Sequence, residues 1–187
     1  MTLLEQLYIP YNLKLVERQG LNGNRCETTA EHTYSAMFLA EYFLKYYPNL
    51  DKERIRKMIL YHDFVEIYAG DTFVHNGESE EEKEKKEEKA YKKLLKTLPK
   101  EIVNDFESAW IEFLEAKTLE GKFANAIDVM DPIIQASTDK KDWIKYKFNE
   151  SKLRKYKEPY LKEFPILMKF FNETIEELKK KKIIPKE

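Results

Sequence analysis

The stretch from Thr28 to Asn49 constrains this chain more than any other. Thr28, Thr29, Ala30 and Glu31 form a helix-opening box: the Thr28 hydroxyl accepts from the Glu31 amide, and the Glu31 carboxylate reaches back. Ala36, Leu39, Ala40, Phe43, Leu44 and Tyr47 then recur at three- and four-residue spacing, the period of one helical face. Pro48-Asn49 stops the run.

The same punctuation repeats along the chain. Residues 3–9 predict a short helix ending at Pro10, and residues 11–27, with Gly20, Asn22, Gly23 and Asn24, a turn-rich stretch. Asp51 is an N-cap for a helix whose buried stripe is Ile55, Met58, Ile59, His62 and Val65, with Gly70 at its left-handed end. Residues 78–98 predict a highly charged helix supported by Glu81/Lys85 and Glu82/Lys86. Pro99 separates it from a helix carrying Ile102, Phe106, Trp110 and Phe113. Another helix runs from about Glu120 through Phe123, Ile127, Met130 and Ile134. Residues 140–158 are basic and aromatic and end at Glu158-Pro159; residues 160–181 read as a last helix before a frayed Lys-rich tail.

No strand alternation, internal repeat or linker stands out. Only 5 glycines occur in 187 residues, 42% of residues are hydrophobic and 36% charged, as long helices with solvated outer faces require. The expected fold class is all-α, a single domain over residues 1–187, with the chemistry-bearing core at about 10–140 and a C-terminal helical extension at about 141–187.

Charge excludes some functions. Thirty-three Lys+Arg against 34 Asp+Glu leave a net −1, which gives no global field for nucleic acid or an anionic membrane. Phosphate binding would have to be local. Cys26 is the only cysteine, so no intrachain disulfide can form. No apolar run approaches the ~20 residues of a membrane span, and the N-terminus has no basic region followed by a long apolar stretch. The expected location is the cytoplasm, with no membrane partner.

There are three histidines, His32, His62 and His75. His32 and His62 lie on helix faces predicted to be buried, beside acidic residues. A buried carboxylate is costly unless it is paired, hydrogen-bonded or bound to metal. Neighbouring helical side chains such as His62 and Asp63 diverge by ~100°, so they do not easily pair, yet both can reach a cation lying between them. Imidazole with carboxylate suits Mn, Fe, Co, Zn or Mg. Two ligands are too few, and His32 and Asp128 are the residues other helices could bring. The bland alternatives are plain. His32 could be a core histidine bonded to a carbonyl, Glu31 a cap and Glu66 a surface ion-pair partner. Asp71 could be a turn residue, and Asp131 rivals Asp128. Pro132 predicts a kink or break that bears on where Asp128 points.

Arg25-Cys26-Glu27-Thr28-Thr29-Ala30-Glu31-His32-Thr33-Tyr34 resembles the R-x-E-[ST]-x-[AS]-[ED]-H-[ST]-x opening of HD-domain nucleotidases. His62-Asp63-Phe64-Val65-Glu66-Ile67-Tyr68-Ala69-Gly70-Asp71 is similar to their H-D-x-x-E-x-x-x-G-D segment, and Lys122 to Asp128 to their K-x-x-x-x-x-D segment. The closest branch in pattern and size is the 5′-deoxynucleotidases. The resemblance implies an all-helical HD domain, usually dimeric, with one divalent cation on His32, His62, Asp63 and Asp128. It implies that Glu66 and Asp71 orient water and substrate. Arg18, Arg25 and Lys122 are the cations in or near the matching segments that could bind phosphate.

The expected activity is release of phosphate from (deoxy)nucleoside 5′-monophosphates by metal-activated water. One alternative is an HD hydrolase acting on a cyclic nucleotide, an alarmone or a nucleoside triphosphate. Another is a non-catalytic helical module with the charged helix 78–98 as its partner surface. Lysines interleaved with Trp143, Tyr146, Phe148 and Tyr156 raise nucleic-acid binding, but a helix with its aromatics inward and lysines outward explains that mixture better. Phe164, Phe170 and Phe171 could serve a dimer interface or the core.

Overall fold

The computed structural model describes residues 1–71, 79–137, 141–145 and 148–184. His75, Asp139, Lys140, Tyr146 and Lys147 lie outside the described residues. Helix α1 (Leu3–Tyr8) leads into a 3₁₀ segment, Ile9–Leu15, that carries Pro10 within it. Strands β1 (Glu17–Asn22) and β2 (Arg25–Thr28) form an antiparallel hairpin in which Glu17 faces Thr28 and Asn22 faces Arg25. Helices α2 (Thr29–Phe43), α3 (Lys52–Tyr61), the short α4 (Glu66–Ala69) and α5 (Glu80–Thr97) follow. The rest are α6 (Lys100–Glu115), α7 (Leu119–Gln135), α8 (Lys141–Lys145), α9 (Glu150–Leu161) and α10 (Pro165–Lys180).

Apart from one small hairpin the regular structure of the described residues is helical, as the apolar spacing requires. The hairpin corrects the reading of residues 11–27 as turns alone. Its strands are too short and polar to alternate visibly, and Gly23 makes the connecting turn at φ 66°, where a side chain would be strained.

Local chemistry sets the helix ends. The Thr28 box forms as expected, and Thr2 with Glu5 and Ser79 with Glu82 make two more, so Glu82 serves the cap. Asp51 accepts from the Arg54 amide. No helix break occurs at Pro132, and Pro159 does not end its helix. Helix α7 continues through Pro132 and α9 through Pro159, because proline removes one backbone donor while packing holds the turn. Ala136 still donates to the Pro132 carbonyl at 3.0 Å.

α3 packs against α6 and α7, and α2 and α9 pack against α7. Their apolar faces join one buried cluster running from Ile9 to Ile184. α7 is its axis: Phe123, Ala124, Ala126, Ile127 and Met130 are fully buried. Phe164 and Phe171 are buried, and Phe170 packs edge-on against Phe43, so these aromatics serve the core. No described helix is long and apolar enough to cross a membrane.

Candidate metal centre

The charged residues gather where α2, the end of α3 and the middle of α7 meet. His32 lies in the first turn of α2, fixed by the Thr28 cap and by the Thr29 amide donating to the Val16 carbonyl at 2.9 Å. α3 ends at Tyr61, just before His62 and Asp63. The bonds then shorten to a three-residue span: Phe64 donates to Tyr61 and Glu66 to Asp63. At this tight turn His62 and Asp63 do not diverge as on a regular helix, and His62 Nε2 lies 3.1 Å from Asp63 Oδ2.

α7 supplies the last group. Asp128 Oδ1 is 3.0 Å from His32 Nε2 and 3.7 Å from His62 Nε2. The two Nε2 atoms face each other at 3.3 Å, and Asp63 Oδ2 is 3.8 Å from that of His32. Both rings are buried. The structure thus brings His32, His62, Asp63 and Asp128 together, and Pro132 does not displace Asp128.

The other ring nitrogens decide what this cluster can hold. His32 Nδ1 is 2.8 Å from Asp131 Oδ2, and His62 Nδ1 is 2.8 Å from the Ile59 carbonyl. Both partners accept, so the protons belong on Nδ1 and both Nε2 atoms are left as acceptors. Four acceptors then converge from two imidazoles and two carboxylates. A divalent cation fits that donor set, with the Nδ1 partners orienting the ligands. Without a cation, protons answer the same need. Burial pushes the His32 ring down, but hydrogen bonds to Asp128 and Asp131 outweigh it and lift its pKa to about 9. His62 rises well above its usual value, the Asp63 charge and the Asp128 bond overcoming burial. Asp128 falls well below the carboxylate range, its bonds to His32 and His62 exceeding the effect of burial.

Around the cluster lie other carboxylates and one arginine. Arg18 on β1 donates to Asp63 Oδ2 at 3.1 Å, with its Nε 3.8 Å from Glu27. Burial disfavours its charge, but Asp63 and the other carboxylates hold it above the ordinary arginine value. Glu66 accepts from the Thr29 hydroxyl at 2.7 Å and shares the cavity with Asp71. Burial, reinforced by the Asp63 charge, raises Glu66 to about 8. Burial also raises Asp71 and Glu27.

Arg18, Glu27, Asp63, Glu66, Asp71 and Asp128 share one cavity of about 440 Å³. Trp143, Phe148, Tyr156 and Tyr160 from the C-terminal region also line it. Arg25 and Lys122 are not brought there. Arg25 is forked onto Glu31, and Lys122 pairs with Glu163. A matching segment does not dictate on which side of the fold each cation projects.

Sequence reasoning missed several groups. Asp131 was weighed only as a rival to Asp128; its i+3 spacing on the same helix was the signal that both could meet one ring. Glu27 was quoted without a role and is buried beside Arg18. Thr29 was read as part of the cap, yet its hydroxyl holds Glu66. Lys157, in the segment 140–158 whose lysines were expected to face outward, lines the cavity.

Comparison with known proteins agrees with this geometry. A family model described as HD domain matches residues 11–167. The human 5′-deoxynucleotidase HDDC2 is 29% identical over 139 residues, 73% of this chain and 67% of that protein. A 5′-deoxynucleotidase of Yersinia pestis (strain Pestoides F) is 36% identical over 104 residues, 50% of this chain and 53% of that protein. A crystal structure from Magnetospirillum magnetotacticum MS-1, described as a "Predicted metal-dependent phosphohydrolase", superposes with a TM-score of 0.82 at 26% identity, covering 96% of each chain. Matched over most of its length, and with a buried His–Asp group that could hold a cation, this chain belongs to the HD-domain family, among its metal-dependent phosphohydrolases.

Proposed function

We propose that this enzyme is a 5′-nucleotidase of the deoxynucleotidase type, releasing phosphate from deoxynucleoside 5′-monophosphates. The observation that carries the reading is the cavity of about 440 Å³ in which β1, the α3–α4 turn and α7 supply charged groups and α8–α9 supplies aromatic ones. That volume suits a small molecule, for which sites run ~300–1,000 Å³. A phosphate at the His–Asp cluster would leave the nucleoside to lie against the aromatic side chains. Relatives named 5′-deoxynucleotidase support this choice of ester.

His32, His62, Asp63 and Asp128 would hold the divalent cation, which when bound supplies a Lewis acid that acidifies water and polarises phosphate. Manganese, cobalt, magnesium, iron and zinc all suit the donor set. The chain's own residues do the rest. Glu66, held by the Thr29 hydroxyl, would accept the proton of the attacking water. Asp71, in the same cavity, would help to position the water. Arg18 stays charged between Asp63 and Glu27 and stabilises phosphate oxygens. The nucleoside departs as an alcohol.

The test is phosphate release from ribo- and deoxynucleoside 5′-monophosphates by metal-stripped protein given manganese, cobalt, magnesium or zinc, beside Asp63→Ala. Metal-dependent release that favours the deoxy compounds and disappears in Asp63→Ala supports the reading. Metal binding without release from any monophosphate overturns it and directs the search to other phosphate esters.

A further inference from the structure

Helix α9 turns Leu153, Tyr156, Lys157 and Tyr160 into the cavity, positions that share one helical face. Lys152 and Lys155 on the same helix are exposed. Lys157 is therefore set apart from its neighbours by the direction in which α9 presents it.

Three cationic side chains line the cavity: Arg18, Lys83 and Lys157. Arg18 is engaged by Asp63 and Glu27, and Lys83 reaches Glu87 at 3.6 Å. Lys157 makes no hydrogen bond or ion pair among the described residues. It is nonetheless close enough to the centre to feel the charges of Asp128, Arg18 and Asp131. Burial, aided by Arg18, pushes its amine below the ordinary lysine range against the pull of both aspartates. A half-buried ammonium without an acceptor is unfavourable, and an anion in the cavity would remove that penalty.

The charge balance points the same way. Beside Asp63 and Asp128, which would hold the cation, Glu27, Glu66 and Asp71 line the cavity with the three cationic side chains. A phosphate monoester carries close to two negative charges near neutral pH. Entering such a cavity it needs every available cation, and Arg18 is already shared with two carboxylates.

We infer that Lys157 binds the phosphate group of the substrate, meeting it from α9 while Arg18 meets it from the hairpin. The inference rests on the nucleotidase reading only for the identity of the ester. The two residues divide the work by geometry: Arg18 is tied to Asp63 and stays in place, while the flexible lysine stem follows the oxygens as the ester bond breaks.

The probe is inorganic phosphate, the product common to any phosphomonoester, titrated calorimetrically into the manganese-loaded protein. Lys157→Met keeps the apolar stem without the charge, Lys157→Arg keeps the charge, and Lys155→Ala is an exposed control on the same helix. Lys157→Met should weaken phosphate binding roughly 10- to 100-fold, the effect of removing one charge-assisted bond. Lys157→Arg should recover most of that affinity, and Lys155→Ala should bind as the parent does. With deoxynucleotide substrates, Lys157→Met should raise KM more than it lowers kcat. Unchanged phosphate affinity in Lys157→Met, with manganese still bound, overturns the inference. Should Lys157→Met fold poorly, Lys157→Gln is read by the same titration. Phosphate binding that depends on Lys157 without deoxynucleotide hydrolysis supports this inference while the nucleotidase reading falls. Hydrolysis with phosphate binding indifferent to Lys157 overturns this inference alone.

Discussion

Asp131 holds the back of the His32 ring, its Oδ2 2.8 Å from Nδ1, while Asp128, one turn earlier on α7, meets the front of the same ring at 3.0 Å. One helix thus supplies a proposed ligand, Asp128, and the group that orients the proposed ligand His32. Asp131→Asn keeps the shape but puts an amide where a carboxylate accepted. Metal affinity should fall roughly 10- to 100-fold, as for other partners behind ligating histidines. A competition titration with a fluorescent chelator reads this directly; unchanged affinity would show that Asp131 has no hold on the ring.

Thr29 is buried and donates its hydroxyl to Glu66 at 2.7 Å. Thr29→Val retains the β-branched shape and removes that donor. We expect kcat to drop about tenfold, within the range for a mispositioned proton acceptor, with metal affinity unchanged. Steady-state kinetics beside the chelator titration separates the two effects, and a parallel loss of metal would assign Thr29 to the ligand cluster instead.

Gly121 opens α7 against the end of α6. A Cβ there would lie 2.9 Å from the Glu112 carbonyl oxygen and 3.3 Å from the Ala116 Cα. Alanine favours helix by up to ~1 kcal/mol over glycine, but the obstacle is backbone and cannot rotate away. Gly121→Ala should destabilise by about 1–3 kcal/mol, measured by urea denaturation. A more stable variant would show that the α6–α7 junction yields.

Tyr91 donates to Glu107 at 2.6 Å and stacks on Trp110 with ring centroids 4.5 Å apart. Burial and then the Glu107 bond raise its pKa to about 12. The neutral phenol is the form the fold prefers. Its contribution is therefore complete below the unfolded value of ~10 and is lost as pH rises from there through about 12. Tyr91→Phe should cost about 1 kcal/mol at neutral pH and flatten this alkaline decline. Denaturation midpoints at pH 8 and pH 11 for both proteins check it; parallel declines would exclude Tyr91 as a source.

Much of the fold was legible because its signals are local. The Thr28–Glu31 box, the Asp51 cap and the three-four spacing of α2, α6 and α7 depend on residues within a few positions of one another. The hairpin was not, because its polar strands pair without an alternating apolar pattern. Pro132 and Pro159 misled for a related reason: whether a helix survives a proline depends on what packs around it.

The local residues determined which helices form, and the quoted motifs pointed to His32, His62, Asp63 and Asp128. Only the tertiary structure decided that Asp131 backs His32, that Thr29 carries Glu66, that Arg25 and Lys122 face elsewhere, and that Lys157 turns inward. Helical periodicity says that two faces differ. The packing of α9 on α7 decides which side chain of a mixed face meets the cavity, because contacts between residues far apart in the chain are set by where whole helices come to rest.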